Sequence, residues 1–204
     1  MGISVKRGAF IVFEGLDGSG ISTQAERLEL YLRKHGRRTL LTKEPTNGLI
    51  GGMIKEALKQ DWKTSFKSLQ LLFCADRAKH LEDEIEPAIR DGRIVVCDRY
   101  LFSTLAYGFA AGVDTHWLFN VNRAFRMPDL TLFLDMSPDV SMKRIANGRE
   151  KRELFEKADA LNSVRKAYLN LAKRFNFKII NAEQSPDDVG EEVQQVAAKF
   201  LARR

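Results

Sequence analysis

Three groups of residues in this sequence have types and spacings suited to chemistry. The first is Glu14-Gly15-Leu16-Asp17-Gly18-Ser19-Gly20-Ile21-Ser22-Thr23, which follows the apolar run Phe10-Ile11-Val12-Phe13. A phosphate-binding loop of the pattern G-x-x-x-x-G-K-S/T needs small residues so that successive backbone N–H groups can curl around a phosphate. It also needs a lysine to neutralise that phosphate and a hydroxyl to reach Mg²⁺. Gly15, Gly20 and Ser22 are in register with the pattern, and Ile21 stands at the lysine position. The backbone cradle and the positive end of the following helix do not depend on the residue 21 side chain, so anion binding is still expected. What is lost is an ammonium over the outer phosphates, and removing one transition-state donor of that kind costs on the order of 10²–10³ in rate.

The second group sits where short apolar runs end. Ile94-Val-Val-Cys97 delivers Asp98-Arg99-Tyr100, and Thr39 to Thr42 delivers Lys43-Glu44-Pro45-Thr46. An arginine there offers a planar fork that matches phosphate oxygens two at a time. Asp98 either helps position Mg²⁺ or orients Arg99 through a salt bridge. The third group comprises Phe73 with Arg77 one helical turn later, and the charged segment Gly148-Arg149-Glu150-Lys151-Arg152-Glu153. An aromatic ring and a guanidinium at i and i+4 share one helix face.

The elements that must position these groups alternate. Strands are expected over Phe10 to Gly15, Thr39 to Thr42, Ile94 to Cys97, Leu130 to Leu134 and Lys178 to Asn181. Helices are expected over about Ser22 to Lys34, Leu49 to Lys59, Thr64 to Arg90 with a break near Pro87, Ser103 to Ala111 and Thr115 to Phe125. Three more follow over Pro138 to Ala146, Phe155 to Phe175 and Asp187 to Leu201. Strands alternating with helices predict an α/β fold with a parallel sheet and right-handed crossovers. Ligands of such sheets gather outside the carboxyl ends of the strands, so the glycine loop, Glu44-Pro45, Asp98-Arg99 and Asp135 should face one crevice.

Composition bounds the alternatives. The chain of 204 residues, 44% apolar and 29% charged, suits one globular domain with a sizeable core. No apolar run approaches a membrane span, and Met1 to Gly8 lacks the apolar stretch of a signal peptide, so a cytoplasmic location is expected. Cys74 and Cys97 lack metal-site spacing and read as buried free thiols. The net charge of +6 suits an anionic partner. Its basic residues are dispersed rather than gathered in a stripe, which argues against nucleic acid.

In the same order along the chain, five segments resemble the thymidylate kinases, a family of P-loop nucleoside monophosphate kinases. They are Glu14-Gly-Leu-Asp-Gly-Ser-Gly20, Lys43-Glu-Pro-Thr46, Leu72-Phe-Cys-Ala-Asp-Arg77, Asp98-Arg-Tyr-Leu-Phe-Ser-Thr104 with Tyr107, and Pro128-Asp-Leu-Thr-Leu-Phe-Leu-Asp135. The resemblance implies a single domain over residues 1–204 of the P-loop NTPase type. This is a three-layer α/β sandwich whose five-stranded parallel sheet is flanked by helices, with a small mobile lid over about 144–156. It implies phosphorylation of dTMP to dTDP with ATP and Mg²⁺, and a homodimer.

The resemblance also implies roles. Gly15, Asp17, Gly18, Ser19, Gly20, Ile21, Ser22 and Thr23, with Arg144, would hold the donor nucleotide, and Ser22 and Asp98 the metal. Asp17, Glu44, Pro45, Phe73, Arg77, Arg99, Thr104 and Tyr107 would hold the acceptor. In that arrangement Phe73 stacks on the pyrimidine, Arg77 meets a base carbonyl and Tyr107 disfavours a 2′-hydroxyl. Arg99 clamps the monophosphate, and Arg149, Lys151 and Arg152 act from the lid. Ile21 leaves three outcomes open: an active enzyme with other cations in the lysine's place, a slow one, or a nucleotide-binding paralogue. A kinase for a different deoxynucleotide is the other alternative.

Overall fold

The computed structural model describes residues 8–146 and 158–204. In chain order these form β1 (Ala9–Gly15), α1 (Ile21–Lys34), β2 (Thr39–Lys43), α2 (Leu49–Leu58) and α3 (Phe66–His80), which runs through a π-helical turn (Leu81–Ile85) into α4 (Glu86–Arg90). Then come β3 (Ile94–Asp98), α5 (Leu101–Ala110), α6 (Thr115–Asn122), β4 (Leu130–Asp135), α7 (Pro138–Ala146), α8 (Ala158–Phe175), β5 (Lys178–Asn181) and α9 (Pro186–Leu201). The strands pair in the order β2-β3-β1-β4-β5, all parallel. This is the expected five-stranded sheet. Residues 147–156 of the expected lid, with Arg149, Lys151 and Arg152, lie outside the described residues.

Every residue of β1 is buried, and β3 and β4 are buried except at their final aspartates. Alternate side chains of a strand point to opposite faces, so complete burial requires helices on both sides. α1 packs on α9, and α5 packs on α8. These pairs are the outer layers of the sandwich. At the carboxyl edge Asp98 lies in register with Lys43 on one side and Phe13 on the other, while Gly15 aligns with Leu134. The chain crosses from β1 to β2 on one side and from β3 to β4 on the other, and the crevice of such a sheet opens where that reversal occurs.

Two departures from the expected elements have local causes. The long helical stretch is not broken at Pro87, which occupies the first turn of α4, where a missing N–H is one of the donors a helix leaves free anyway. The irregularity is the π turn Leu81–Ile85. Of the two free thiols, Cys97 is buried as expected but Cys74 is only half-buried.

β1 also carries one buried carboxylate. Glu14 is fully buried; its Oε1 accepts from the Tyr100 N–H (3.2 Å), and its Oε2 accepts from Ser103 Oγ (2.6 Å) and Tyr168 OH (3.0 Å). Burial pushes its pKa up from 4.5 to about 7, opposed by the Ser103 hydroxyl and the Arg99 charge. The knot ties β1 to α5 and α8 directly beneath the strand edge.

Two predictions follow from these contacts. The folded state holds the Glu14 proton more tightly than the unfolded chain, so the stability this group contributes is complete below about 4.5 and is lost as pH rises to about 7. Glu14→Gln should therefore gain on the natural chain between pH 5 and 8 by about 3 kcal/mol, read as the pH dependence of urea unfolding. In α2, a Cβ on Gly51 would lie 2.2 Å from the Thr46 carbonyl oxygen, whereas one on Gly52 would meet nothing within 4 Å. Thermal denaturation should show Gly52→Ala stabilising by up to about 1 kcal/mol from helix propensity and Gly51→Ala destabilising.

Candidate active site

A cavity of about 520 Å³ opens at the carboxyl edge of β1, β2 and β3. Its floor is the glycine loop. Gly18 and Gly20 take positive φ values of 77° and 85°, which glycine reaches without Cβ strain. Gly20 precedes α1 and supplies no side-chain cap, so the first-turn amides of α1 remain open to an anion. Ser19 Oγ is buried in the loop without a partner among the described residues. Open amides and an orphaned hydroxyl fit a polyphosphate. Ser141 Oγ donates to the Asp17 carbonyl (2.6 Å), tying α7 to the loop, and Arg144 lines the cavity one turn further along.

Ile21 opens α1 and is 5% exposed, packed into the main core beneath the loop. It adds apolar support and no charge. Ser22 and Thr23 are exposed at the cavity. Ser22 Oγ donates to Asp98 Oδ2 at 2.5 Å, so two hard oxygen groups meet beside the phosphate cradle. That donor set suits Mg²⁺, which takes few protein ligands and leaves its other positions to phosphate and water.

Of the two expectations for Asp98, the salt bridge to Arg99 is not formed. Arg99 turns instead to the loop, where Nη2 pairs with Asp17 Oδ1 (2.7 Å) and Nη1 donates to the Gly15 carbonyl (2.8 Å) and Ser103 Oγ (3.2 Å). Its own backbone is held at φ 65°, an unusual conformation for a residue with a side chain. Asp17 Oδ2 accepts from Tyr107 OH (3.0 Å), and the Arg99 guanidinium lies 5.6 Å from the Tyr107 ring centre. An aspartate among phosphate-binding amides is thereby neutralised. Arg99 remains partly exposed, with 18% of its side chain accessible at the cavity.

The far end of the cavity is built by α3 and α5. Phe73 is half-buried there, and Glu44, Pro45, Thr104 and Tyr107 complete the wall. Arg77 is wholly buried: Nη2 pairs with Glu44 Oε2 (2.8 Å) and donates to Thr104 Oγ1 (2.9 Å), and Nη1 donates to Asn122 Oδ1 (2.7 Å). Burial works against its charge, but Glu44 together with Tyr100 and Cys74 outweighs that and keeps the guanidinium protonated above its usual range. Only Nε is left unpartnered among the described residues. Glu44 is held in turn by His80 Nδ1 (3.1 Å), and Asp76 fixes the following loop by accepting from Thr46 N (2.8 Å) and Thr46 Oγ1 (2.6 Å).

Several lining groups escaped the sequence reading. Lys55 brings an ammonium group to the same cavity as Lys43, the strand-end lysine already expected there, and Lys55 is pushed below its ordinary pKa by partial burial and then by the Lys43 charge. Ser103 and Gln70 also face it. Gln70 precedes Phe73 and Arg77 at three- and four-residue spacing, so the periodicity that singled out that pair extends to it. Glu14 was detectable as the one carboxylate in an otherwise apolar strand. Nothing local marks Asn122 or Tyr168.

The sequence model of the thymidylate kinase family matches residues 13–193. A probable thymidylate kinase of Thermococcus onnurineus (strain NA1) is 41% identical over 205 residues, covering 96% of this chain and 100% of the relative. The corresponding protein of Pyrococcus horikoshii is 39% identical over 193 residues (92% and 94%), and that of Sulfolobus acidocaldarius is 40% identical over 196 residues (94% and 97%). With a parallel sheet of this order, a glycine loop at its edge and similarity along nearly the whole length, the chain belongs to the thymidylate kinase family.

Proposed function

We propose that this chain phosphorylates dTMP to dTDP with ATP as donor. The observation that carries the reading is one cavity in which the glycine loop has the Ser22–Asp98 pair on one side and the Arg99–Asp17–Tyr107 cluster on the other. The donor triphosphate lies on the amides of Gly15 to Thr23, with Arg144 alongside. Ser22 and Asp98 hold Mg²⁺, which when bound neutralises charge on the donor phosphates.

The acceptor lies toward α3 and α5, its base against Phe73, Arg77 and Thr104 and its sugar beside Tyr107, with Glu44 and Pro45 behind. Arg99 grips the monophosphate. The attacking oxygen is already anionic, so no general base is required, and the protein's task is alignment, exclusion of water and spreading of charge. Arg149, Lys151 and Arg152 of the lid supply further positive charge. A homodimer belongs to the same proposal, supported by exposed Leu49, Met53 and Leu71 on α2 and α3.

Ile21 affects rate more than binding, because the amide cradle is main chain. Lys43 and Arg144 line the same cavity and offset part of the missing charge. In an assay of dTDP formation free of contaminating kinases, Ile21→Lys should raise kcat by about 10²-fold with KM for dTMP changed less than about threefold. Its longer stem must leave the core packing so that the ammonium reaches the phosphates. Arg99→Met should weaken dTMP binding by at least about tenfold. Absence of dTDP with both the natural chain and Ile21→Lys would overturn the catalytic reading.

A further inference from the structure

Among the described residues, the buried polar groups at the acceptor end of the cavity that lack an internal hydrogen bond include Gln70 Oε1, Arg77 Nε and Tyr100 OH, and the roles above leave Gln70 unused. Gln70 lies on α3 with its side chain on the cavity side, alongside Phe73 and Arg77. It is 1% exposed, and its Oε1 has no hydrogen-bond partner among the described residues. Leaving a carboxamide oxygen buried without a donor costs about 1–3 kcal/mol, which an apolar side chain of the same length would not incur. The group is also well seated. A Cβ on Gly108 of α5 would come 3.5 Å from Gln70 Cδ, so the carboxamide rests where α5 presents no side chain.

Its neighbour narrows what completes it. Arg77 has both terminal nitrogens engaged with Glu44, Thr104 and Asn122, and its buried Nε lacks a partner. Among the described residues the wall thus offers an unmet acceptor, Gln70 Oε1, and an unmet donor, Arg77 Nε, beside the half-buried ring of Phe73, with the unpartnered Tyr100 hydroxyl nearby. A flat heterocycle with an N–H next to a carbonyl on one edge satisfies both.

Resting on the thymidylate reading, we propose that Gln70 is a specificity-determining residue whose Oε1 accepts from the N3–H of the acceptor's base. A 4-oxopyrimidine carries that N–H between two carbonyls. Cytosine has a lone pair at N3, which would face Oε1 acceptor to acceptor. Turning the carboxamide to donate to cytosine leaves Oε1 orphaned again and sets the 4-amino group against the Arg77 guanidinium. Selectivity of this origin rests on the cost of an unpaired buried group rather than on shape.

Equilibrium binding, which does not depend on turnover, tests the assignment on the full-length chain. Gln70→Met should weaken dTMP about 10–100-fold and dCMP less than about threefold, narrowing the preference between them. N3-methyl-dTMP, which lacks the hydrogen, should bind the natural chain at least about tenfold more weakly than dTMP and should bind Gln70→Met and the natural chain about equally. Equal affinity of the natural chain and Gln70→Met for dTMP overturns the role of Gln70 and leaves the thymidylate reading standing. The comparison of dTMP with its N3-methyl form on the natural chain needs no folded variant, and equal binding of the two overturns it as well. Failure of the natural chain to bind dTMP at all sinks the thymidylate reading, and the assignment of Gln70 with it.

Discussion

The site depends on a guanidinium that bridges two strand ends. Arg99 follows β3 directly, yet its side-chain hydrogen bonds go to Gly15 at the end of β1, to Asp17 in the loop beyond it, and to Ser103 on α5. That arrangement requires a left-handed backbone at Arg99 and an aspartate inside a loop otherwise suited to phosphate. Each unfavourable feature compensates the other. The strained residue aims the charge, and the charge neutralises the carboxylate. Asp98 is thereby free of Arg99 and turns the opposite way to Ser22, so consecutive residues of one strand end serve the two sides of the cavity.

A second guanidinium does different work further in. Arg77 is enclosed by Glu44, Thr104, Asn122 and the faces of Tyr100 and Phe125, whose ring centres lie 5.0 and 5.5 Å away. Such a buried pair adds little net stability, because desolvation offsets the Coulomb attraction, but breaking it by removing one partner is strongly destabilising. What it supplies is geometry. α3, α5, α6 and the loop after β2 are held at fixed distances around a half-buried Phe73, and the pocket at that end keeps its width without a ligand. His80 and Asp76, on the same helix, extend the clamp to Glu44 and Thr46.

Charge is distributed unevenly around the glycine loop. The loop position that a Walker A lysine would occupy holds a buried isoleucine, and the cations that line the cavity come from elsewhere: Lys43 at the end of β2, Lys55 on α2, Arg77 on α3, Arg99 after β3 and Arg144 on α7. Electrostatic attraction for a polyphosphate depends on the sum of such charges, whereas a transition state is sensitive to one placed at a particular oxygen. Binding and rate therefore respond differently to Ile21.

Much of this was legible in the sequence for a physical reason. Burial on both faces makes the central strands continuously apolar, and glycines must appear where the backbone curls, so the sheet, the loop and the strand-end residues Glu44, Asp98 and Arg99 were apparent from local pattern, and the family resemblance added Asp17. Their partners were not. Whether Asp98 meets Ser22 or Arg99, whether the terminal nitrogens of Arg77 are engaged internally or open to a ligand, and that Gln70 is buried with an unmet oxygen all depend on residues 27 to 76 positions apart brought together by strand order. Sequence sets which groups a segment can present, because backbone preference and apolar periodicity are local. Tertiary packing decides which of those groups meet, because hydrogen bonds and desolvation are fixed only when distant elements close around the same few ångströms of space.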